Sequence, residues 1–183
     1  MPRLVMLDRD GVLNRDRPDS VKNPGELELL DGAAEAVARL NGAGVKVAMV
    51  SNQSVVGRGI ITSQMLELIH RHLDQALARR GARLDATFVC FDPPGPPSLR
   101  RKPAPGMLRE AMQRFRAGPD ESVMIGDALR DLQAAAAAGC RRILVRSGKG
   151  AATQAAGLPP QVLPVAVHAD LAQAVEALIG EGL

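Results

Sequence analysis

Short runs of Val, Ile, Leu, Met and Ala punctuate this chain, each ending in small or polar residues, and longer segments of helical period separate them. The runs are Leu4–Leu7, Val45–Val50, Ala86–Cys90, Val123–Ile125 and Ile143–Val145, with Val162–Val167 as a sixth candidate. None alternates cleanly, so they read as strands buried on both faces rather than strands with one wet side. Strands of that kind joined by helices have few solutions. The strands run parallel, the crossovers are right-handed, and helices cover both faces. The expected fold class is therefore α/β, a Rossmann-like three-layer α/β/α arrangement around a central parallel sheet, with residues 1–183 as a single domain.

The helical segments carry their own punctuation. Ala33–Gly42 places Ala34, Val37, Ala38 and Leu40 on one side and is followed by Gly44. Ser63–Arg80 begins at a capping hydroxyl, Thr62 or Ser63, repeats Leu66, Ile69, Leu73 and Leu77, and stops at Gly81. Pro105–Phe115 starts on a proline suited to a first turn, Leu129–Ala138 is a small-residue helix ended by Gly139, and Ala169–Ile179 is the last. Three stretches read as loops: Arg15–Leu30, Phe91–Lys102 and Gly148–Pro160. The second holds Pro93, Pro94, Pro96 and Pro97 around Gly95 and is expected to be stiff and extended.

Parallel α/β sheets bind ligands beyond the carboxyl ends of their strands. The polar residues at those ends are Asp8 and Asp10, then Ser51 and Asn52, then Asp127, while Lys102 closes the proline-rich loop. Asp8 through its side chain, Asp10 through its backbone carbonyl and Asp127 could share one divalent cation in an all-oxygen shell suited to Mg²⁺. Gly11 allows the chain to turn sharply away from the first strand.

Other chemistries are disfavoured. Aromatic residues make up 2% of the chain and there is no Trp or Tyr, so little is available to stack bases. The net charge is +3, from scattered Arg pairs rather than a basic arm, and no nucleic-acid partner is expected. Two cysteines, Cys90 and Cys140, read as buried free thiols. The N-terminal apolar run is too short for a signal peptide, no stretch spans a membrane, and a cytoplasmic protein is expected. His70 and His72 lie on different faces of one helix and His168 stands alone, so none reads as a metal ligand. The Ala134–Ala138 run reads as close helix packing.

Four ordered motifs resemble the haloacid dehalogenase-like phosphatases: Leu7-Asp8-Arg9-Asp10-Gly11-Val12-Leu13-Asn14, Ser51-Asn52-Gln53-Ser54 with Arg58-Gly59, Arg101-Lys102-Pro103 with Pro105-Gly106-Met107, and Gly126-Asp127 with Asp131. Within that superfamily they are similar to the D-glycero-D-manno-heptose 1,7-bisphosphate phosphatases and the related histidinol-phosphatases. The resemblance implies that Asp8 attacks phosphorus and forms an aspartyl-phosphate, and that Asp10 serves as acid and then base. It further implies that Lys102 and Ser51 contact the phosphoryl oxygens with Mg²⁺, and that Asp131 orients Lys102 or a metal-bound water. Substrate contacts fall to Arg9, Asp16, Asn52, Gln53, Arg101 and Asp131; Arg58 reads equally as site or surface. The implied reaction is release of phosphate from a small phosphorylated metabolite, in the first place D-glycero-D-manno-heptose 1,7-bisphosphate to heptose 1-phosphate, with histidinol phosphate or another small phosphomonoester as the alternative. A silent phosphometabolite-binding protein is the reading from another class.

One departure stands out. The branch usually carries a Cys/His zinc loop before Arg-Lys-Pro, and here only Cys90 remains in that segment. One cysteine cannot build a four-ligand site, so no structural zinc is expected and the prolines supply the stiffness. No insertion is long enough for a large cap domain, which leaves the site open. A monomer or small homo-oligomer is expected.

Overall fold

The computed structural model describes residues 1–96 and 98–181. Pro97, at the centre of the proline-rich stretch, lies outside them. Six strands form one sheet: β1 (Leu4–Leu7), β2 (Lys46–Asn52), β3 (Ala86–Cys90), β4 (Ser122–Gly126), β5 (Arg141–Val145) and β6 (Ala166–His168). Their spatial order is β3-β2-β1-β4-β5-β6 and every pairing is parallel. The helices are α1 (Ala33–Gly42), α2 (Ser54–Gly57), α3 (Ser63–Ala78), α4 (Gly106–Phe115), α5 (Leu129–Ala138), α6 (Gly150–Ala155) and α7 (Leu171–Gly180). This is the three-layer α/β fold that the strand pattern predicts.

The unalternating runs have a plain cause. In β1, Val5 and Leu7 face the core under α1, α3 and α7, while Leu4 and Met6 face the core under α4 and α5. Every residue of β1 is buried, so period two disappears from the sequence although it persists in space.

The sheet order reverses direction between β1 and β4, which places the exits of these two strands side by side. Leu7 is level with Ile125 on one side and Met49 on the other. Asp8 N–H still donates to the Ile125 carbonyl at 3.1 Å, so Asp8 leaves β1 next to the end of β4. This crevice is the switch point where such sheets bind ligands.

Three segments differ from the sequence reading. Val162–Val167 is not one strand. Residues 160–162 form a 3-10 turn and β6 starts only at Ala166, because Pro164 lacks the N–H a ladder needs. Gly148–Pro160 contains α6, a helix whose residues carry no apolar stripe for periodicity to find. It is held instead by Gly150 packed against the Val145 carbonyl and by Thr153 Oγ1 donating to the Asp127 carbonyl at 2.9 Å. The single turn α2, straight after β2, is too short to show a period at all. Elsewhere the ends shift by a residue or two at caps: Thr62 Oγ1 accepts from Met65 N–H at the start of α3, and Asp170 does the same for Gln173 N–H at α7.

Candidate active site

Asp8 follows β1, Asp127 follows β4, Ser51 and Asn52 end β2, and Asp131 sits in the first turn of α5. Lys102 reaches them from the loop before α4. Its Nζ lies 3.1 Å from Asp8 Oδ1 and 2.8 Å from Asp131 Oδ1, and donates to the Val50 carbonyl at 2.7 Å. The Lys102 and Asp131 side chains are wholly buried. Two carboxylates and a carbonyl thus surround the ammonium, and the ion pairs meet the condition for burying a lysine charge. Burial alone would push the Lys102 pKa down, but the two carboxylates outweigh it and hold the amine above its usual range.

Lys102 is aimed by Asn52. The Asn52 amide donates to the Lys102 carbonyl at 2.9 Å and accepts from the Lys102 N–H at 3.0 Å, a two-bond clasp between β2 and the loop. Asp131 is fixed at its other oxygen, which accepts the Ala128 N–H at 3.0 Å.

Asp8, Asp127 and Asp131 each bring a carboxylate oxygen within 4.8 Å of one another. Asp131 is already engaged by Lys102 and Ala128, so Asp8 and Asp127 have the side-chain oxygens to spare. Asp127 Oδ2 accepts the Lys149 N–H at 2.8 Å, while its Oδ1 is buried without a hydrogen-bond partner. Two glycines close over it. A Cβ on Gly11 (φ +82) would come 2.0 Å from Asp127 Oδ2, and one on Gly148 would come 2.3 Å from the same atom. Burial, with the charge of Asp8 adding, pushes Asp127 up to about 7. Burial also raises Asp8 to about 6, against the pull of Lys102. A divalent cation beside both would reverse these shifts. An orphaned buried oxygen and two crowded acids, all hard donors, fit Mg²⁺ better than a softer ion.

Asp10 has different company. The Arg9 guanidinium donates to both its oxygens at 3.0 Å, Asn14 donates to Oδ1 at 2.9 Å, and Gln53 to Oδ2 at 2.9 Å. Burial opposes ionisation, yet the Arg9 charge and these donors hold its carboxyl below the ordinary carboxylate range. Gln53 also donates to Ser51 Oγ at 2.9 Å, tying β2 to the Asp10 turn.

A cavity of about 170 Å³ opens over Asp8 and Asp10. Asp16, Asn52, Gln53 and Arg101 line it, as do Arg130 and Lys149, which motif reading passed over. Three expected substrate contacts lie elsewhere, Asp131 among them, since its oxygens face Lys102 and the Ala128 N–H. Arg9 has a fully buried side chain and faces Asp10 and His70, with Nη1 3.4 Å from His70 Nε2, so it braces Asp10 rather than lining the cavity. Arg58 caps the end of α2 and is not part of the lining. Asn14 stood in the first motif without a part assigned to it; its bond to Asp10 gives it one. Lys149 gave no local signal, because its backbone N–H reaches Asp127 only through the turn after β5.

The switch-point cluster of carboxylates around a buried ammonium, on a parallel sheet of this order, defines an aspartate-centred α/β hydrolase. Comparison with known proteins narrows the class. The HAD-hydrolase-like family model matches residues 99–174. The D-glycero-beta-D-manno-heptose-1,7-bisphosphate 7-phosphatase of Bordetella bronchiseptica is 41% identical over 179 residues, covering 98% of this chain and 99% of that one. Its counterpart in Pseudomonas aeruginosa is 36% identical over 176 residues, covering 96% and 97%. The crystal structure of D,D-heptose 1,7-bisphosphate phosphatase from B. bronchiseptica, complexed with magnesium and phosphate, superposes with a TM-score of 0.92 at 42% identity over 98% of this chain and 99% of the other. The chain belongs to the haloacid dehalogenase-like phosphatases, in their heptose bisphosphate phosphatase branch.

Proposed function

We propose that this protein is a Mg²⁺-dependent phosphatase that removes the 7-phosphate of D-glycero-D-manno-heptose 1,7-bisphosphate, leaving the heptose 1-phosphate, with Asp8 as the nucleophile. The observation that carries this reading is the buried Lys102 held between Asp8 and Asp131, with Asp8 itself opening onto a polar cavity. Sequence identity of 41% to a heptose bisphosphate 7-phosphatase across nearly the whole chain supports the substrate.

Asp8 Oδ1 is engaged by Lys102 and by the Arg9 N–H at 2.8 Å, which fixes the carboxylate plane and leaves Oδ2 to attack phosphorus. The P–O bond to the sugar breaks as the Asp8–phosphorus bond forms, giving an aspartyl-phosphate. Asp8, Asp127 and the Asp10 carbonyl would hold Mg²⁺, which supplies neutralisation of phosphoryl charge when bound. Lys102 adds a fixed positive charge to the same oxygens, and Ser51 a hydroxyl. Asp10 then takes a proton from the water that hydrolyses the intermediate, and its donor-rich surroundings suit that base role. For the preceding acid role a protonated Asp10 needs an acceptor; the Gln53 amide, turned over, offers its oxygen.

The loop before Lys102 is closed without zinc in this reading. Ser98 Oγ donates to Asp92 and accepts the N–H groups of Arg100 and Arg101, while Arg101 Nη1 donates to the Asp92 carbonyl at 2.8 Å. These bonds occupy the segment where zinc ligands would stand. The residues act as one catalytic domain with an open mouth.

Phosphate release is measured with Mg²⁺ across heptose 1,7-bisphosphate, histidinol phosphate and p-nitrophenyl phosphate, for wild type and Asp8→Asn. The bisphosphate is expected to show the highest kcat/KM and the variant a loss of at least about a thousandfold. Equal inertness of both proteins on every substrate sinks the proposal, and a preference for histidinol phosphate redirects it.

A further inference from the structure

His70 occupies a place where the apolar stripe of α3 would suit a hydrophobic residue. The stripe is Leu66, Ile69, Leu73 and Leu77, all buried, and His70 falls one turn after Leu66 and beside Ile69. The side chain is half-buried, and its Nε2 lies 3.4 Å from Arg9 Nη1. An arginine only donates, so Nε2 is the unprotonated ring nitrogen and accepts. Arg9 Nη1 has no other hydrogen-bond partner among the described residues. The rest of the fork is given to Asp10, with Nε 3.3 Å from Oδ1 and Nη2 3.0 Å from both oxygens. A guanidinium is planar, so holding Nη1 fixes the rotation of the two nitrogens on Asp10.

The fork also sorts the two oxygens of Asp10. Oδ1 accepts from Arg9 Nε, Arg9 Nη2 and Asn14, three donors for two lone pairs, and has no room for a proton. Oδ2 accepts from Arg9 Nη2 and Gln53, and the Gln53 amide, turned over, becomes an acceptor there. Gln53 lines the cavity and Asn14 does not. Oδ2 is therefore the oxygen that can carry a proton to the substrate, and it keeps that part only while the fork stays on Oδ1. Arg9 is wholly buried and Asp10 keeps 25% exposure, so the chain from His70 through Arg9 to Asp10 leads from a covering helix to the reacting centre.

We propose that His70 is a positioning residue for proton transfer to the leaving oxygen: it holds Arg9 against Oδ1 of Asp10, so that Oδ2 presents the proton to the substrate. This rests on the reading of Asp8 and Asp10 above and adds to it a residue of α3 that lies outside the cavity lining and acts through Arg9. Its loss weighs on substrates whose leaving group needs a proton. A sugar alkoxide needs one as it departs, and p-nitrophenolate does not.

The full chain with Mg²⁺ is assayed on heptose 1,7-bisphosphate and on p-nitrophenyl phosphate, for wild type, Asp10→Asn, His70→Leu, His70→Gln and His70→Asn. The readout is the ratio of the two kcat/KM values, sugar over aryl, because kcat/KM covers the steps up to departure of the leaving group. Asp10→Asn is expected to lower the ratio about a hundredfold. His70→Leu is expected to lower it at least about fivefold. His70→Gln, whose amide oxygen falls near the place of Nε2, is expected to restore it to near wild type, and His70→Asn, whose oxygen falls near Nδ1, to leave it low. An unchanged ratio in His70→Leu, whether activity falls equally on both substrates or on neither, overturns the assignment, as does a ratio in His70→Gln as low as in His70→Leu. If His70→Leu fails to fold, the amide pair decides: a low ratio in Asn with a near wild-type ratio in Gln upholds the assignment, and equal ratios overturn it. An unchanged ratio in Asp10→Asn overturns the acid role of Asp10 and this assignment with it, while leaving Asp8 as nucleophile. Absence of phosphate release from either substrate by wild type overturns the phosphatase reading as well.

Discussion

Lys102 brings a full charge into the core, where Asp8, Asp131 and the Val50 carbonyl surround it. Removing one member of such a group leaves the others buried and uncompensated. Lys102→Met is therefore expected to destabilise the fold by roughly 3–5 kcal/mol in urea unfolding, with Lys102→Met/Asp131→Asn recovering part of the loss. His70 makes a second residue-level case. Burial, with the Arg9 charge adding, pushes its imidazole down to about 4, so it is neutral in the fold and accepts from Arg9. The unfolded chain takes up that proton near its ordinary pKa of 6.5, so stability falls as pH drops from about 6.5 towards 4. His70→Gln keeps an acceptor and cannot titrate. Between pH 7 and pH 4 it is expected to lose on the order of 2 kcal/mol less than wild type, measured by denaturant titration at each pH.

At the scale of elements, the site depends on how a loop is fastened to a strand. The proline-rich segment carries Lys102, and the Asn52 clasp holds Lys102 by both its N–H and its carbonyl. Asn52→Ala removes two hydrogen bonds at once. We expect a cost of about 1–3 kcal/mol in stability and a fall in kcat of at least about tenfold, since the ammonium loses its aim. The turn after β1 meets the turn after β5 in the same way. Gly11 and Gly148 pack so closely over Asp127 that a Cβ on Gly148 would come 2.5 Å from the Gly11 Cα. The positive φ of Gly11 could be anticipated from the sharp exit of β1, but its contact with Gly148 could not, because nothing local to either residue records the other. Helices with an apolar stripe, such as α1 and α3, were legible for the opposite reason: their buried faces repeat within the window that sequence reading uses.

For the whole molecule, the metal is expected to couple the two halves of the sheet. Asp8 leaves β1 and Asp127 leaves β4, and both resist ionisation in each other's presence. A cation binding their charged forms competes with protons. Saturating Mg²⁺ is expected to raise the melting temperature at pH 8 and to do so progressively less as pH falls through 7 and 6, checked by calorimetry with and without chelator. Among the described residues no helix is long and apolar enough to cross a membrane, and none of the metal-ligating groupings outside this cluster holds three candidate side chains.

By itself the sequence determined that the chain makes strands buried on both faces, and that Asp8, Ser51 and Asn52, and Asp127 stand at their exits, because apolar runs and the residues that end them are local properties. Its motifs also marked Asp131 and Lys102. The tertiary structure alone decided which of these meet and what each is left free to do. Setting β1 beside β4 brings separate carboxylates to one ammonium. The same packing buries Arg9 as a brace for Asp10 and leaves Arg130 without a bonded partner at Nε. Distance, burial and the satisfaction of polar atoms arise from contacts between segments remote in the chain, and no stretch of sequence carries them.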